Sequence, residues 1–116
     1  MSMWQGRRIP EIEVDDASAG REHSVLLDVR EADEWEAGHA PGATWVRLGD
    51  LESARFRIPF NRRIVCVCRS GNRSAHATAQ LVQWGFDAVN MAGGMKAWVA
   101  QGLPVVRDDD SAGQVI

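Results

Sequence analysis

The sequence predicts one α/β domain, a mainly parallel sheet covered by helices on both faces. Three observations carry the prediction. Two short runs, Val25–Val29 (VLLDV) and Ile64–Val67 (IVCV), are almost continuously apolar; segments with helical spacing follow them; and glycines mark the joins. A strand buried on both faces reads as such a run rather than as an alternation. Strands that alternate with helices imply parallel crossover units. At 116 residues the chain has the size of one ordinary domain, able to bury a core without a disulfide or metal staple.

The elements follow in chain order. Residues 1–10 are an extension ahead of the domain, which spans 11–106. Glu11–Val14 alternates weakly and opens as an extended run, and Val25–Val29 is the first buried strand. Glu31–Ala37, charged and Trp-bearing, is a short helix ended by Gly38. His39–Ala43 (HAPGA) is a turn whose dihedrals Pro41 and Gly42 set. Leu48–Phe56 has room for a helical turn or two. Ile64–Val67 is the strongest strand signal and runs into the polar loop Cys68-Arg69-Ser70-Gly71-Asn72-Arg73. A helix over Ser74–Trp84 places His76, Gln80 and Gln83 on a polar face and Ala77, Leu81 and Trp84 on an apolar one; Gly85 terminates it. Asp87–Met91 is a short strand, Gly93-Gly94 a turn, and Met95–Gln101 a last helix closed by Gly102. The tail 107–116 (RDDDSAGQVI) has no period and three consecutive aspartates, and is expected to be disordered.

Composition excludes several function classes. The net charge is −3 and the cations form no single stripe, so no nucleic-acid partner is expected, phosphate neutralisation needing clustered Lys and Arg. No stretch approaches the roughly 18–20 apolar residues of a membrane span, so no membrane association is expected. Met1–Pro10 lacks an apolar core followed by a cleavage site, the mark of a signal peptide. The expected compartment is the cytoplasm, where thiols stay reduced, and Cys66 and Cys68 are read as thiols first.

Cys68 carries the chemistry. A buried strand that ends in a nucleophile and passes through a short loop into a helix aims backbone N–H groups and the helix dipole at one point. A free thiol titrates near pH 8.5, and a helix N-terminus with nearby arginines lowers that to roughly 3.5–7.5. Arg69 and Arg73 lie in the cysteine's own loop, which makes Cys68 a credible activated nucleophile.

Four segments carry a family resemblance: LLDVREADEWEAGHAPGA (Leu26–Ala43), IVCVCRSGNRSAHATAQL (Ile64–Leu81), GFDAVNMAGGMKAW (Gly85–Trp98) and GLPV (Gly102–Val105). In this order and spacing the chain resembles the rhodanese homology domain from about Ile12 to Val105. The resemblance implies a three-layer fold whose sheet has about five mainly parallel strands. It implies a cradle from Cys68 to Arg73, and a Cys68 that takes sulfane sulfur as a persulfide and passes it on. Neither metal nor organic cofactor is expected. Expected partners are a small donor such as thiosulfate and a thiol or cyanide acceptor, or a protein in either role. The alternative is a persulfide-carrier or regulatory module working with protein partners. Related phosphatases and arsenate reductases use a loop one residue longer than Cys68-x4-Arg73, wide enough for a tetrahedral oxyanion; the tighter ring suits a single sulfur atom.

Each remaining candidate is weighed against a plainer role. Cys66 reads as a small core hydrophobe rather than as a redox partner of Cys68 or half a metal site. Asp28 either orients the active site or anchors the neighbouring loops through internal hydrogen bonds, the resemblance implying the anchor, and Arg30 adds positive potential to the pocket. Arg69 and Arg73 bind anions, Arg73 also closing the loop. Ser70, Gly71, Asn72 and Ser74 act through backbone N–H groups, Gly71 at positive φ and Ser74 also as a helix cap. His39 is read as loop packing and His76 as a solvated residue. Trp35, Trp84 and Trp98 are read as core; Trp4 lies outside it.

Overall fold

Five short parallel strands run side by side in the order β1-β5-β4-β2-β3: β1 (Glu11–Ile12), β2 (Ser24–Asp28), β3 (Thr44–Trp45), β4 (Arg63–Val67) and β5 (Ala88–Met91). The computed structural model describes residues 9–116; the expectation for Trp4 and most of the N-terminal extension lie outside them. The described residues also form five α-helices, α1 (Val14–Ala19), α2 (Ala32–Ala37), α3 (Leu51–Ala54), α4 (Asn72–Gln83) and α5 (Gly94–Ala100), besides three short 3-10 turns. No helix among the described residues is long and apolar enough to cross a membrane.

Alternation along the strands builds two cores. Leu27, Ile64, Cys66 and Ala88 face Leu51 of α3, Ala77 and Leu81 of α4, and Phe86. Leu26, Val65, Val67, Val89 and Met91 face Val14 and Ala17 of α1 and Met95 and Trp98 of α5. Both faces of β4 are thereby buried, which is why its sequence is continuously apolar. Its carboxyl end, where Cys68 follows, opens among the helix N-termini, the edge at which open parallel sheets place ligands.

The structure departs from the sequence reading in four places. Helix α1 begins where a strand was expected to continue. Strand β3 lies beyond the HAPGA turn, with Leu27 opposite Thr44 and Asp28 opposite Trp45. Helix α4 starts two residues early, at Asn72, with Gly71 rather than Ser74 in the N-cap position. The fourth departure is the tail expected to be disordered. Val106 pairs with both His39 and Ala112, the Gly113 and Gln114 amides donate to Val105 and Ala37, and Val115 packs on the α5 side of the core.

The aromatic residues divide by depth. Trp35 and Trp98 are buried and Trp84 is half-buried. His39 is buried, stacked on the Trp35 ring at 3.6 Å, with Nε2 2.9 Å from the Asp108 carboxylate. It packs the turn, as expected. His76 is exposed on α4.

Candidate active site

The Cys68 sulfur sits in a ring of donors supplied by its own loop. The Gly71 amide reaches Sγ at 3.1 Å, and the Ser74 amide and hydroxyl each at 3.3 Å. Burial of Cys68 pushes its thiol upward. Hydrogen bonds from the Ser74 hydroxyl and from the Ser74, Gly71 and Ser70 amides outweigh burial and bring the thiol below its ordinary range. The cradle therefore favours the thiolate, which is the nucleophilic form.

Backbone geometry makes the ring possible. Gly71 has φ +112°, a left-handed conformation that glycine adopts without strain and that turns the chain into α4 close under the sulfur. Its carbonyl accepts a 3.2 Å bond from the amide of buried Asn90, which also reaches Glu11. From behind, the Met95 and Lys96 amides of α5 donate to the carbonyls of Cys68 and Arg69. That approach is so close that a side chain at Gly94 would run into the Cys68 and Arg69 carbonyls. The GG pair is thus a seat for the loop, beyond the turn that the sequence suggested.

The loop's two arginines are both engaged. Arg73 makes a bidentate pair with Glu34 of α2, at 2.7 and 2.8 Å. The pair raises Arg73, and the charge of Cys68 adds to the effect. It holds the Glu34 carboxyl below its usual range against the opposing pull of burial. The Arg69 Nε donates to the main-chain oxygen of Ile116 at 2.9 Å. Arg69, Ser70 and Asn72 have exposed side chains, whereas Ser74 is fully buried. Its hydroxyl bonds the sulfur, a side-chain role that differs from the expected helix cap.

Asp28 and Arg30 form a completely buried pair. The Arg30 Nε and Nη2 grip the Asp28 carboxylate, and Nη2 also donates to the Gly38 carbonyl at 2.8 Å. This geometry is the loop anchor of the two readings, and the Arg30 charge is largely cancelled within the pair. Cys66 is fully enclosed, and burial pushes its thiol up to about 12. It is a core residue. Sequence reasoning missed Glu34 and Asn90. Glu34 was visible as the partner of Glu31 in a capping box; Asn90 carries no local signal, being one polar residue in a buried strand.

The fold and the site together define a parallel α/β domain with a thiolate cradle at the carboxyl edge of its sheet. The chain belongs to the rhodanese-like domain family, which matches residues 13–101. Among curated proteins it is similar to a putative sulfurtransferase, YtwF of Bacillus subtilis, with 37% identity over 72% of this chain and 81% of that one. A sulfurtransferase of Allochromatium vinosum is 38% identical over 76% and 83% of the two chains. A putative sulfur carrier protein of Bacillus subtilis, YrkF, is 36% identical over 66% of this chain and 42% of its own length. Among solved structures, a rhodanese-related protein of Thermoplasma volcanium has a TM-score of 0.80 at 29% identity, covering 84% of this chain and 97% of that one.

Proposed function

We propose that the protein is a sulfurtransferase that carries sulfane sulfur as a persulfide on Cys68. The observation that carries the reading is the ring of N–H and O–H donors converging on Sγ. The relatives named sulfurtransferase and sulfur carrier support sulfur transfer as the chemistry. In the first step the Cys68 thiolate attacks the outer sulfur of a donor such as thiosulfate. A new S–S bond forms, the donor's S–S bond breaks, and sulfite leaves with the electron pair. In the second step an acceptor, cyanide or a thiolate, attacks the terminal sulfur and leaves as thiocyanate or a new persulfide, returning the Cys68 thiolate. No electrons are exchanged with a cofactor. The donors that hold the thiolate also stabilise the terminal persulfide anion, because they are fixed before the reaction begins.

Intact-mass measurement after thiosulfate treatment tests the proposal. One added sulfur on Cys68, removed by cyanide and absent from Cys68→Ser, is the expected result. Loss of the adduct in Cys66→Ser instead would transfer the role to the other cysteine. Robust turnover of an aryl phosphate would overturn the substrate class. A carrier reading, with protein donor and acceptor, is favoured by the sulfur carrier relative. It predicts a readily formed adduct with poor steady-state turnover of small substrates.

A further inference from the structure

Residues 107–116, which the chemistry above does not use, are joined to the molecule by contacts that end on the active-site loop. Val106 exchanges both backbone bonds with His39, at 2.8 and 2.9 Å. The Asp108 carboxylate meets His39 Nε2. The Gly113 and Gln114 amides donate to the Val105 and Ala37 carbonyls, both at 2.9 Å. At this crossing two glycines face each other. A Cβ on Gly113 would meet Gly38 Cα at 2.8 Å and the Ala37 carbonyl at 3.0 Å, and one on Gly38 would meet the Gln114 amide at 2.6 Å. Val115 then packs on the apolar face that holds Met95 and Trp98. Ile116 accepts the Arg69 hydrogen bond, one residue from the nucleophile. The whole segment lies beyond the residues that the family matches.

We propose that residues 113–116 are a specificity element of the site, selecting against small oxyanion donors by fixing the orientation of the Arg69 guanidinium through its Nε bond to Ile116. The inference rests on the sulfurtransferase reading. With Arg73 paired to Glu34 and the Arg69 Nε bonded to Ile116, an incoming sulfonate meets Arg69 only in the orientation that Ile116 sets, and swinging the guanidinium toward the sulfur breaks that bond. An alkyl persulfide presents no sulfonate and meets no such penalty. The Cys68 thiolate attacks its outer sulfur, the S–S bond breaks, and the alkyl thiolate leaves as the Cys68 persulfide forms with the transferred S–H. The favoured donor class is therefore a persulfide borne on carbon, with thiosulfate a poorer donor than the cradle alone would make it.

Gly113→Val unseats the segment without touching the loop. Two readouts follow it. The first is the ratio of Cys68 alkylation rates with iodoacetate and iodoacetamide, which senses positive charge within reach of the sulfur and needs no sulfur transfer. The second is KM for thiosulfate against KM for cysteine persulfide. Gly113→Val should raise the alkylation ratio about two- to tenfold, the net range of one hydrogen bond, and lower the thiosulfate KM by a similar factor. The persulfide KM should stay unchanged, and adding Arg69→Gln should cancel both gains. Faster amide exchange at Gln114 verifies release; where exchange is unchanged, a chain shortened after Ser111 takes the variant's place with the same outcomes required. An unaltered ratio after verified release overturns the proposal. If no variant takes sulfur from either donor, the sulfurtransferase reading falls, and the alkylation ratio still decides the role of the segment.

Discussion

At Cys68 burial and hydrogen bonding pull in opposite directions, and Ser74 supplies two of the donors that set the outcome. Removing its hydroxyl leaves the amides in place, so Ser74→Ala isolates one hydrogen bond. Hydrogen bonds to charged groups contribute roughly 1.5–3 kcal/mol. Ser74→Ala should therefore raise the Cys68 pKa and slow persulfide formation at neutral pH by about ten- to a hundredfold. The pH profile of iodoacetamide alkylation measures the shift, and a profile identical to wild type would remove Ser74 from the site. The place of Cys68 after a buried strand was legible, but the contact of the Ser74 hydroxyl with its sulfur was not. Each residue turns a helix by about 100°, so a start at Asn72 instead of Ser74 converts an expected capping side chain into one facing the sulfur. Gly71 shifted the start, because a left-handed residue there closes the loop early.

Between elements, the Arg73–Glu34 pair ties the first turn of α4 to the first turn of α2. Bidentate pairs of this kind fix orientation as well as charge, so Arg73 supports the cradle's shape and its field. Arg69 has one bond to a main-chain oxygen and an exposed side chain. Arg73→Ala should lower kcat/KM for sulfur transfer by about ten- to a hundredfold, and Arg69→Ala by far less. Glu34→Gln, which keeps the shape but removes the charge, should fall between them. Equal and negligible losses in all three would mean that backbone amides alone hold the transferring group. The loop arginines were legible as cations beside a cysteine. Their partners were not, because Glu34 and Ile116 lie 39 and 47 residues away along the chain. Local pattern reports helix starts and turns; it does not report which carboxylate a turn will meet.

Across the whole molecule, the central strands were legible because burial on both faces writes a continuous apolar run, whereas β3 has two residues, too few for any pattern, and the equally short β1 was read two residues too long. The tail misled for a related reason: its order comes from His39, Ala37 and Val105, not from its own composition. The double-sided core that made β4 readable also gives the fold a pH dependence centred on Cys66. Its thiol is fully buried and pushed up to about 12, while an unfolded cysteine titrates near 8.5. Between those values the unfolded chain binds fewer protons than the folded one, so stability is full below the unfolded pKa and falls as pH rises through the interval. Cys68 runs the other way: its lowered thiol adds stability as pH rises toward the unfolded value, and that gain is then held constant beyond it. A plateau near pH 8.5 followed by a decline is expected. From pH 8 to pH 10 the Cys66 contribution is about 1 to 2 kcal/mol. Urea unfolding under reducing conditions should show wild type losing that much more than Cys66→Ala over the same interval. Comparing the pH dependence of each protein with itself removes the constant cost of the smaller side chain. Parallel declines in the two proteins would mean that Cys66 ionises in the folded state, and that the face of β4 beneath α4 is open to hydroxide.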